Sequence, residues 1–266
     1  MAYNDLREFI EALDKAGELM RITAPVSAEL ELAEITDRVS KLPGSENKAL
    51  LFENVIGYDM PVLINAQGSM KRMCLSLEVE DLNTIADRIR VFIKPKVPES
   101  FMAKLAFLPT IMEVGKFPPK IVSGPAPCQE VVITNPADPM LDKLPIITCW
   151  PEDGGPYVTM TMVISKDPAR GIRNVGMYRV QQLGKRTVAM HWQRHKSGAE
   201  HMRQMAERGE KMPVCIAIGA DPASMYSASA PLPPNIDEFI FAGFLRKDPV
   251  HLARAVTCDL EVPADA

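Results

Sequence analysis

The chain has 266 residues, a formal net charge of −4 and a hydrophobic content of 47%. Its length suits one large or two modest domains, and we expect two. The low charge argues against general nucleic-acid binding, and the longest apolar runs are too short for a transmembrane segment. The N-terminus lacks the pattern of a secretory signal, and the five scattered cysteines form no CxxC pair, so we expect a cytoplasmic protein with buried, unpaired thiols.

The first part of the chain alternates helix-like and strand-like patterns. Asn4 is suited to cap a first helix that ends near Gly17, and a second helix is predicted to follow Ser27 and to stop at Pro43. Further helices are predicted over 81–93 and 101–114, with strand-like runs at 19–26, 49–57 and 61–68. This alternation predicts a small N-terminal α/β domain over residues 1–117.

The second part changes character at a proline-rich crossover over 118–156. Beyond it, the runs 157–165, 174–182 and 186–192 predict a meander of antiparallel strands with a turn around Gly184. A helix over 198–209, a buried strand over 213–219 and a helix over 235–246 complete the pattern. We therefore predict a second, β-rich domain over 118–266.

Positive charge is concentrated in one stretch of this otherwise acidic chain. Residues 173–199 contain six cations and no carboxylate, which leaves 24 cations against 34 carboxylates elsewhere. Such a concentration favours one small bound anion over a nucleic-acid duplex. Arg179 is predicted on a partly buried strand, where its guanidinium needs an anionic partner. The loop 194–198, just before a predicted helix, offers backbone N–H groups to a phosphate.

Other site types fit the sequence poorly. His191 and His195 have the spacing of zinc ligands on a helix, but the segment has strand character and no Glu follows His191. His201 lies in the same short stretch. The motifs GxSxG, GxGxxG and GxxxxGK[ST] are all absent. Glu238 begins an apolar helix, where a carboxylate is favourable for the helix dipole alone.

Five ordered motifs resemble the UbiD family, which are reversible decarboxylases of aromatic and α,β-unsaturated acids that use prenylated FMN. The motifs are N-V-G-M-Y-R (174–179), H-W-Q-R-H-K-S-G (191–198), P-V-C-I-A-I-G-A-D-P (213–222), A-P-L-P-P-N-I-D-E (230–238) and D-L-E-V-P-A (259–264). The resemblance implies an α/β (α+β) fold. In it, the small N-terminal α/β domain precedes a β-rich, split-barrel, flavin-reductase-like domain that binds prenylated FMN.

The resemblance also implies a site. Asn174, His195 and Glu238 match residues that bind a divalent metal, usually Mn2+ and often alongside K+, which bridges to the flavin phosphate. Arg179 matches the catalytic arginine, which orients the substrate carboxylate through paired hydrogen bonds. The residues that match flavin-contacting segments are Met177, Tyr178, Arg179, His191, Trp192, Gln193, His195, Lys196 and Ser197.

The family's proton-donating acid lies in a Glu-Gly-Pro-x-Gly-Glu/Asp segment beyond D-L-E-V-P-A, which these 266 residues do not contain. We therefore expect the front part of an enzyme that forms homo-oligomers when complete. Its implied partners are a small carboxylic acid, such as a hydroxybenzoate-type quinone precursor, and a flavin prenyltransferase that supplies the cofactor. Alternative hypotheses are a non-catalytic flavin- or phospholigand-binding module, one subunit of a split decarboxylase, and a flavin reductase-like oxidoreductase.

Overall fold

The computed structural model of the chain describes residues 2–93, 116–135, 137–233 and 236–266. The helices in these ranges are α1 Leu6–Lys15, α2 Glu31–Ser40, α3 Met70–Ser76, α4 Leu82–Ile93, α5 Ser197–Glu207, α6 Pro222–Ser227 and α7 Glu238–Arg246. The strands are β1 Leu19–Ile22, β2 Ala49–Phe52, β3 Val62–Ile64, β4 Lys120–Ile121, β5 Tyr157–Val158, β6 Met162–Lys166, β7 Arg173–Met177, β8 Val180–Gln182, β9 Val188–Met190, β10 Cys215–Ala217, β11 His251–Arg254 and β12 Glu261–Pro263. The helix predicted over 101–114 lies outside the described residues.

The N-terminal part is a three-stranded sheet with helices packed on it. Strand β2 pairs in parallel with β1 and antiparallel with β3. The cap of α1 is Asp5 and not Asn4 as predicted, because the Asp5 carboxylate accepts the Glu8 backbone N–H at 2.9 Å. Helix α2 begins only at Glu31, after Leu30 has adopted a left-handed conformation with φ of 65°. Phe9 lies buried in the resulting core.

The described residues of the C-terminal part form three further three-stranded sheets, with the orders β10-β6-β7, β12-β11-β4 and β5-β8-β9. The antiparallel pairing of the predicted runs is confirmed, but two runs are each divided between two sheets, 157–165 into β5 and β6 and 174–182 into β7 and β8. Strand β10 is shorter than predicted, and Ile216 within it is 36% exposed. The mixed α/β class is confirmed, whereas the described strands form separate sheets and no closed barrel.

Two apolar clusters fix α7 in place. Phe239 and Ala242 on one side of α7 pack against Ile164 and Val175 of the β6–β7 pair. Phe241 and Phe244 on its other side join a cluster that includes Ile85 of α4. The start of α7 is therefore rigidly placed beside β7. The domain boundary at residue 117 stays a prediction.

The structure also answers two predictions made from composition, one on membrane-spanning helices and one on the cysteines. No helix among the described residues is long and apolar enough to cross a membrane. All five cysteines are free but half-buried, not fully buried as predicted, because each lies near an element end or a loop. Cys215 and Cys258 bring their sulfur atoms to 3.5 Å from each other.

Candidate functional site

One face of β7 begins the site. Asn174, Gly176 and Tyr178 alternate along the chain, so their side-chain positions share that face. A Cβ atom at Gly176 would overlap the Tyr178 ring, so the missing side chain lets this ring fold back along the strand. The buried phenol thereby reaches the vicinity of Asn174.

The first turn of α5 packs against this ring. Lys196 is the N-cap residue and provides no side-chain hydrogen bond to the turn, and the Gly198 backbone N–H is directed at the Tyr178 phenol. A Cβ atom at the buried Gly198 would lie 3.2 Å from Trp192 Cε2 and 3.4 Å from Tyr178 Oη. The Tyr178 and Trp192 rings meet edge to face, with centroids 6.1 Å apart. Glycine is therefore what allows the helix to approach both rings.

Glu238 enters the same cluster from α7. Its Oε2 accepts the Val175 backbone N–H at 2.7 Å, while Asp237 caps the helix by accepting the Phe239 N–H at 2.9 Å. Burial raises the pKa of Glu238 to about 7, and the Val175 hydrogen bond opposes that rise. Burial also raises the pKa of the Tyr178 phenol, with the Glu238 charge adding to it. We call Asn174, Tyr178, Trp192, Gly198 and Glu238 the β7 site.

Two donors in the β7 site lack a partner. Trp192 Nε1 is buried and donates no hydrogen bond to any described residue, and the buried Asn174 Nδ2 forms no well-aligned hydrogen bond there, although the Tyr178 phenol lies next to it. Nearly all buried polar groups in folded proteins are hydrogen-bonded, so such donors call for an external acceptor. Together with the positive dipole end of α5, they suit a phosphate group. This is the chemistry that a flavin mononucleotide brings.

The predicted metal ligands are only partly gathered. Asn174 and Glu238 both lie near the Tyr178 phenol, whereas His195 is exposed on the loop between β9 and α5. In the part of the chain that the structure describes, no hydrogen bond joins His195 to either residue, and no group of three His, Cys, Asp or Glu side chains converges. An amide oxygen, a carboxylate and an imidazole suit Mn2+ chemically. Among the described residues, the structure brings Asn174 and Glu238 to one region but does not assemble the three predicted ligands.

Arg179 differs from its prediction. It is exposed and follows β7 instead of belonging to a partly buried strand, since β7 ends at Met177 and β8 begins at Val180. Its guanidinium carbon lies 4.2 Å from the centroid of the Tyr157 ring, which provides a cation–π partner. The sequence did not identify Tyr157 as a partner of Arg179, because the two residues lie in different predicted runs, 157–165 and 174–182. An exposed, stacked guanidinium remains free to bind a carboxylate.

The other predicted flavin residues lie at the rim of the β7 site. Met177 is half-buried on β7. The remaining ones are exposed on the segment that leads into α5, namely His191, Gln193, Lys196 and Ser197. Gly198, which follows this segment, was not predicted as a site residue, although the phosphate-binding interpretation of loop 194–198 included it.

The positive charges of residues 173–199 are offset by groups other than those predicted. Arg173 donates to Asp237 at 3.0 Å and to Glu261 at 2.8 Å, and it is mostly buried. Arg186 donates to the backbone carbonyls of Asn135 and Asp138. The expectation that one anion offsets all six charges is therefore wrong, because distant parts of the chain already provide acceptors for two of them.

Family models match most of the chain. The model described as the 3-octaprenyl-4-hydroxybenzoate carboxy-lyase Rift-related domain matches residues 120–266, and the N-terminal domain model of the same enzyme matches residues 10–89. An uncharacterized protein of Aquifex aeolicus is 48% identical over 99% of this chain, and one of Archaeoglobus fulgidus is 49% identical over 100%. The chain spans 54% and 53% of their lengths, so about half of each relative.

Solved structures give the same fold. The UbiD-class enzyme HmfF from Pelotomaculum thermopropionicum, in complex with FMN, superposes with a TM-score of 0.82 at 26% identity, over 98% of this chain and 53% of its own. An evolved dimeric form of that enzyme, in complex with prFMN, has a TM-score of 0.83 at 26% identity and covers 98% and 55%. The vanillic acid decarboxylase of Sedimentibacter hydroxybenzoicus in its closed form has a TM-score of 0.83 at 28% identity, over 100% and 53%.

Proposed function

The chain belongs to the UbiD family of carboxy-lyases, and on that premise we propose that it is the prenylated-FMN-binding part of a decarboxylase. The observation that carries this proposal is the pair of buried, unpartnered donors beside the first turn of α5. The similar HmfF structures contain FMN and prFMN, which supports the same ligand class here. Reversibility of the reaction is part of the proposal.

In this proposal the β7 site binds the phosphate end of the cofactor. Trp192 Nε1 and Asn174 Nδ2 donate to phosphate oxygens, and the amides at the start of α5 add further donors and a positive dipole end. The exposed residues of the 191–197 segment line the remainder of the flavin. When bound, prenylated FMN supplies the electron sink that accepts the electrons released as CO2 leaves.

Asn174, Glu238 and His195 would bind Mn2+ at the phosphate, with K+ as a further proposed ion. The metal would offset the desolvated Glu238 carboxylate, which no described cation contacts directly, and it would fix the phosphate against β7. His195 has to approach the other two ligands for this, and its exposed loop position leaves it free of competing hydrogen bonds among the described residues.

Arg179 is the proposed catalytic residue. Its five donors are suited to a bidentate contact with the substrate carboxylate, and the Tyr157 ring orients the guanidinium plane without consuming those donors. Such a contact fixes the orientation of the scissile bond relative to the cofactor. This positioning lowers the activation free energy more than charge attraction alone would. The proposed substrate is an aromatic or α,β-unsaturated acid, with a hydroxybenzoate-type quinone precursor as one case.

The proposed partners follow from the same reaction. A flavin prenyltransferase has to supply the modified cofactor, and the full-length protein is proposed to form a homo-oligomer. One of the similar HmfF structures is an evolved dimeric form, which supports oligomeric assembly in this class.

The test is reconstitution of the full-length protein with prenylated FMN and Mn2+, followed by measurement of decarboxylation and of flavin binding. Replacing Arg179→Ala should abolish most turnover but reduce flavin retention far less, because the phosphate end is bound in the β7 site, which does not include Arg179. Arg254→Ala is the matched control, since Arg254 is an exposed arginine at the end of β11, outside the β7 site and the 191–197 segment. Normal decarboxylation by Arg179→Ala would remove the proposed role.

A further inference from the structure

Among the described residues, one side-chain hydrogen bond joins helix α5 to the sheet that carries the β7 site. His201 Nδ1 lies 3.0 Å from Ser165 Oγ, and both residues are buried, with 6% and 1% exposure. Within the described ranges, no other side-chain hydrogen bond joins α5 to β6 or β7. The placement of α5 therefore depends on this contact and on the close approach of Gly198.

The anchor is adjacent to the proposed ligand residues. Ser165 lies directly opposite Asn174 in the antiparallel β6–β7 pair, so the two side chains share a face of the sheet. His201 is one helical turn beyond Gly198, and both lie on the buried face of α5. One face of the helix thus contacts the sheet at two points, through His201 near Asn174 and through Gly198 near Tyr178.

The chemistry of the pair indicates a positioning role and not a reactive one. Ser165 is too buried to meet a substrate, and its partner is Nδ1 of the imidazole. Burial lowers the pKa of His201, and the nearby carboxylates Asp167 and Glu200 oppose that fall. A neutral imidazole and a hydroxyl can exchange donor and acceptor roles, so the bond forms with either tautomer.

We propose that Ser165 and His201 are positioning residues that fix the first turn of α5 at the distance from Asn174 at which one phosphate can contact both. This inference rests on the proposed function for the identity of the ligand. Without the anchor, the first-turn amides and the Asn174 amide would no longer converge, and the affinity for a flavin phosphate would fall.

The test uses the 266-residue chain with FMN as the probe. The double variant Ser165→Ala/His201→Leu replaces both polar partners with apolar groups, which leaves no unsatisfied donor and limits the loss of stability. We expect its dissociation constant for FMN to rise about tenfold. The single variant His201→Asn keeps a polar atom near the position of Nδ1, so it should retain most of the wild-type affinity for FMN. Ser76→Ala is the control, since Ser76 is buried to the same degree and bonds only within α3.

Hydrogen exchange provides an independent readout. The Glu200 amide donates to the Lys196 carbonyl at 3.1 Å and reports on the first turn of α5. It should exchange faster in the double variant, whereas the β6–β7 amides should not change. Unchanged exchange, or unchanged FMN affinity in the folded double variant, would overturn the inference. If the wild-type chain fails to bind FMN, the proposed function fails, and the exchange comparison still decides whether the pair positions α5.

Discussion

Two regions of the molecule contain buried polar groups, and they differ in how those groups are satisfied. In the N-terminal part, Arg72 is fully buried and donates to Glu18 at 3.1 Å, to the Asn65 carbonyl at 3.1 Å and to Asn47 through two atoms. In the β7 site, Asn174 Nδ2 and Trp192 Nε1 have no acceptor among the described residues. The Arg72 network finds its acceptors within the chain, although Gln67 Nε2 in the same part has none, whereas the β7 site brings two such donors to one place, which suits a ligand.

The buried carboxylates of the two regions differ in the same way, in the cations that contact them and in the direction of their pKa shifts. Burial acts to raise the pKa of Glu18, but hydrogen bonds from Lys71 and Arg72 outweigh it, so the pKa is lowered. Burial raises the pKa of Glu238 to about 7, because only the Val175 N–H and weaker terms oppose it. A buried carboxylate beside paired cations stabilises the fold, whereas one without them marks a place where a cation can bind.

The largest expected effect is a loss of folding stability when the buried Arg72 network of the N-terminal part is broken. Arg72→Ala leaves the Glu18 carboxylate with Lys71 but without its buried partner, and breaking a buried pair typically costs about 3–5 kcal/mol. Urea denaturation should show this loss, while the fraction that remains folded binds FMN as the wild type does. A loss no larger than that of an exposed pair would contradict the contrast between the regions.

The second prediction concerns Glu238. Because its pKa is raised on folding, the folded state binds more protons, and the cofactor-free protein should lose stability as the pH rises from about 4.5 through about 7. Glu238→Gln should flatten this dependence and reduce retention of Mn2+ and flavin about tenfold or more, because the proposed metal ligand is lost. Denaturation at several pH values and cofactor occupancy after purification measure both effects.

Asp237 and Asp221 also have raised pKa values through burial, so only the difference between wild type and Glu238→Gln is diagnostic. Asn174→Ala should lower cofactor retention without flattening the pH dependence, since it removes no titratable group. Equal cofactor occupancy in wild type and both variants would contradict the proposed metal site.

A third prediction isolates one unpartnered donor. Trp192→Phe keeps an aromatic edge against Tyr178 but removes the indole N–H, so the affinity for FMN should fall by about 1.5–3 kcal/mol, as for a hydrogen bond to a charged group. The stability of the ligand-free protein should stay the same or rise, because an unsatisfied buried donor is removed. Fluorescence titration and thermal unfolding separate these outcomes, and unaltered affinity would exclude Trp192 as a phosphate ligand.

The smallest expected effect comes from breaking an exposed ion pair, which provides the baseline for the buried Arg72–Glu18 pair. Arg38 forms an exposed pair with Glu34 on α2, at 2.7 Å. Arg38→Ala should change stability by less than about 1 kcal/mol, since exposed ion pairs contribute little. If it were as destabilising as Arg72→Ala, burial would not explain the difference between the two arginines.

Local patterns predicted much of the fold. The apolar stripes identified α1, α2 and α4, and the turn residues identified the meander, because these features depend on neighbours in sequence. The division of 157–165 between two sheets depends instead on which distant strands pair, such as β5 with β8. A single sequence does not contain that information.

The site was predictable to a similar extent. The family motifs identified Asn174, Tyr178 and Glu238, which the structure brings together. The carboxylates that pair with Arg173 lie 64 and 88 residues along the chain, so the excess of local positive charge was misleading. Local composition does not reveal the acceptors that the fold provides.

The most direct test of the central claim is a crystal structure of the chain grown with FMN and Mn2+. The account predicts phosphate density within hydrogen-bond distance of Trp192 Nε1, Asn174 and the first turn of α5, with a metal at Glu238. Flavin bound elsewhere, or an FMN phosphate that leaves both buried donors unpartnered, would contradict it.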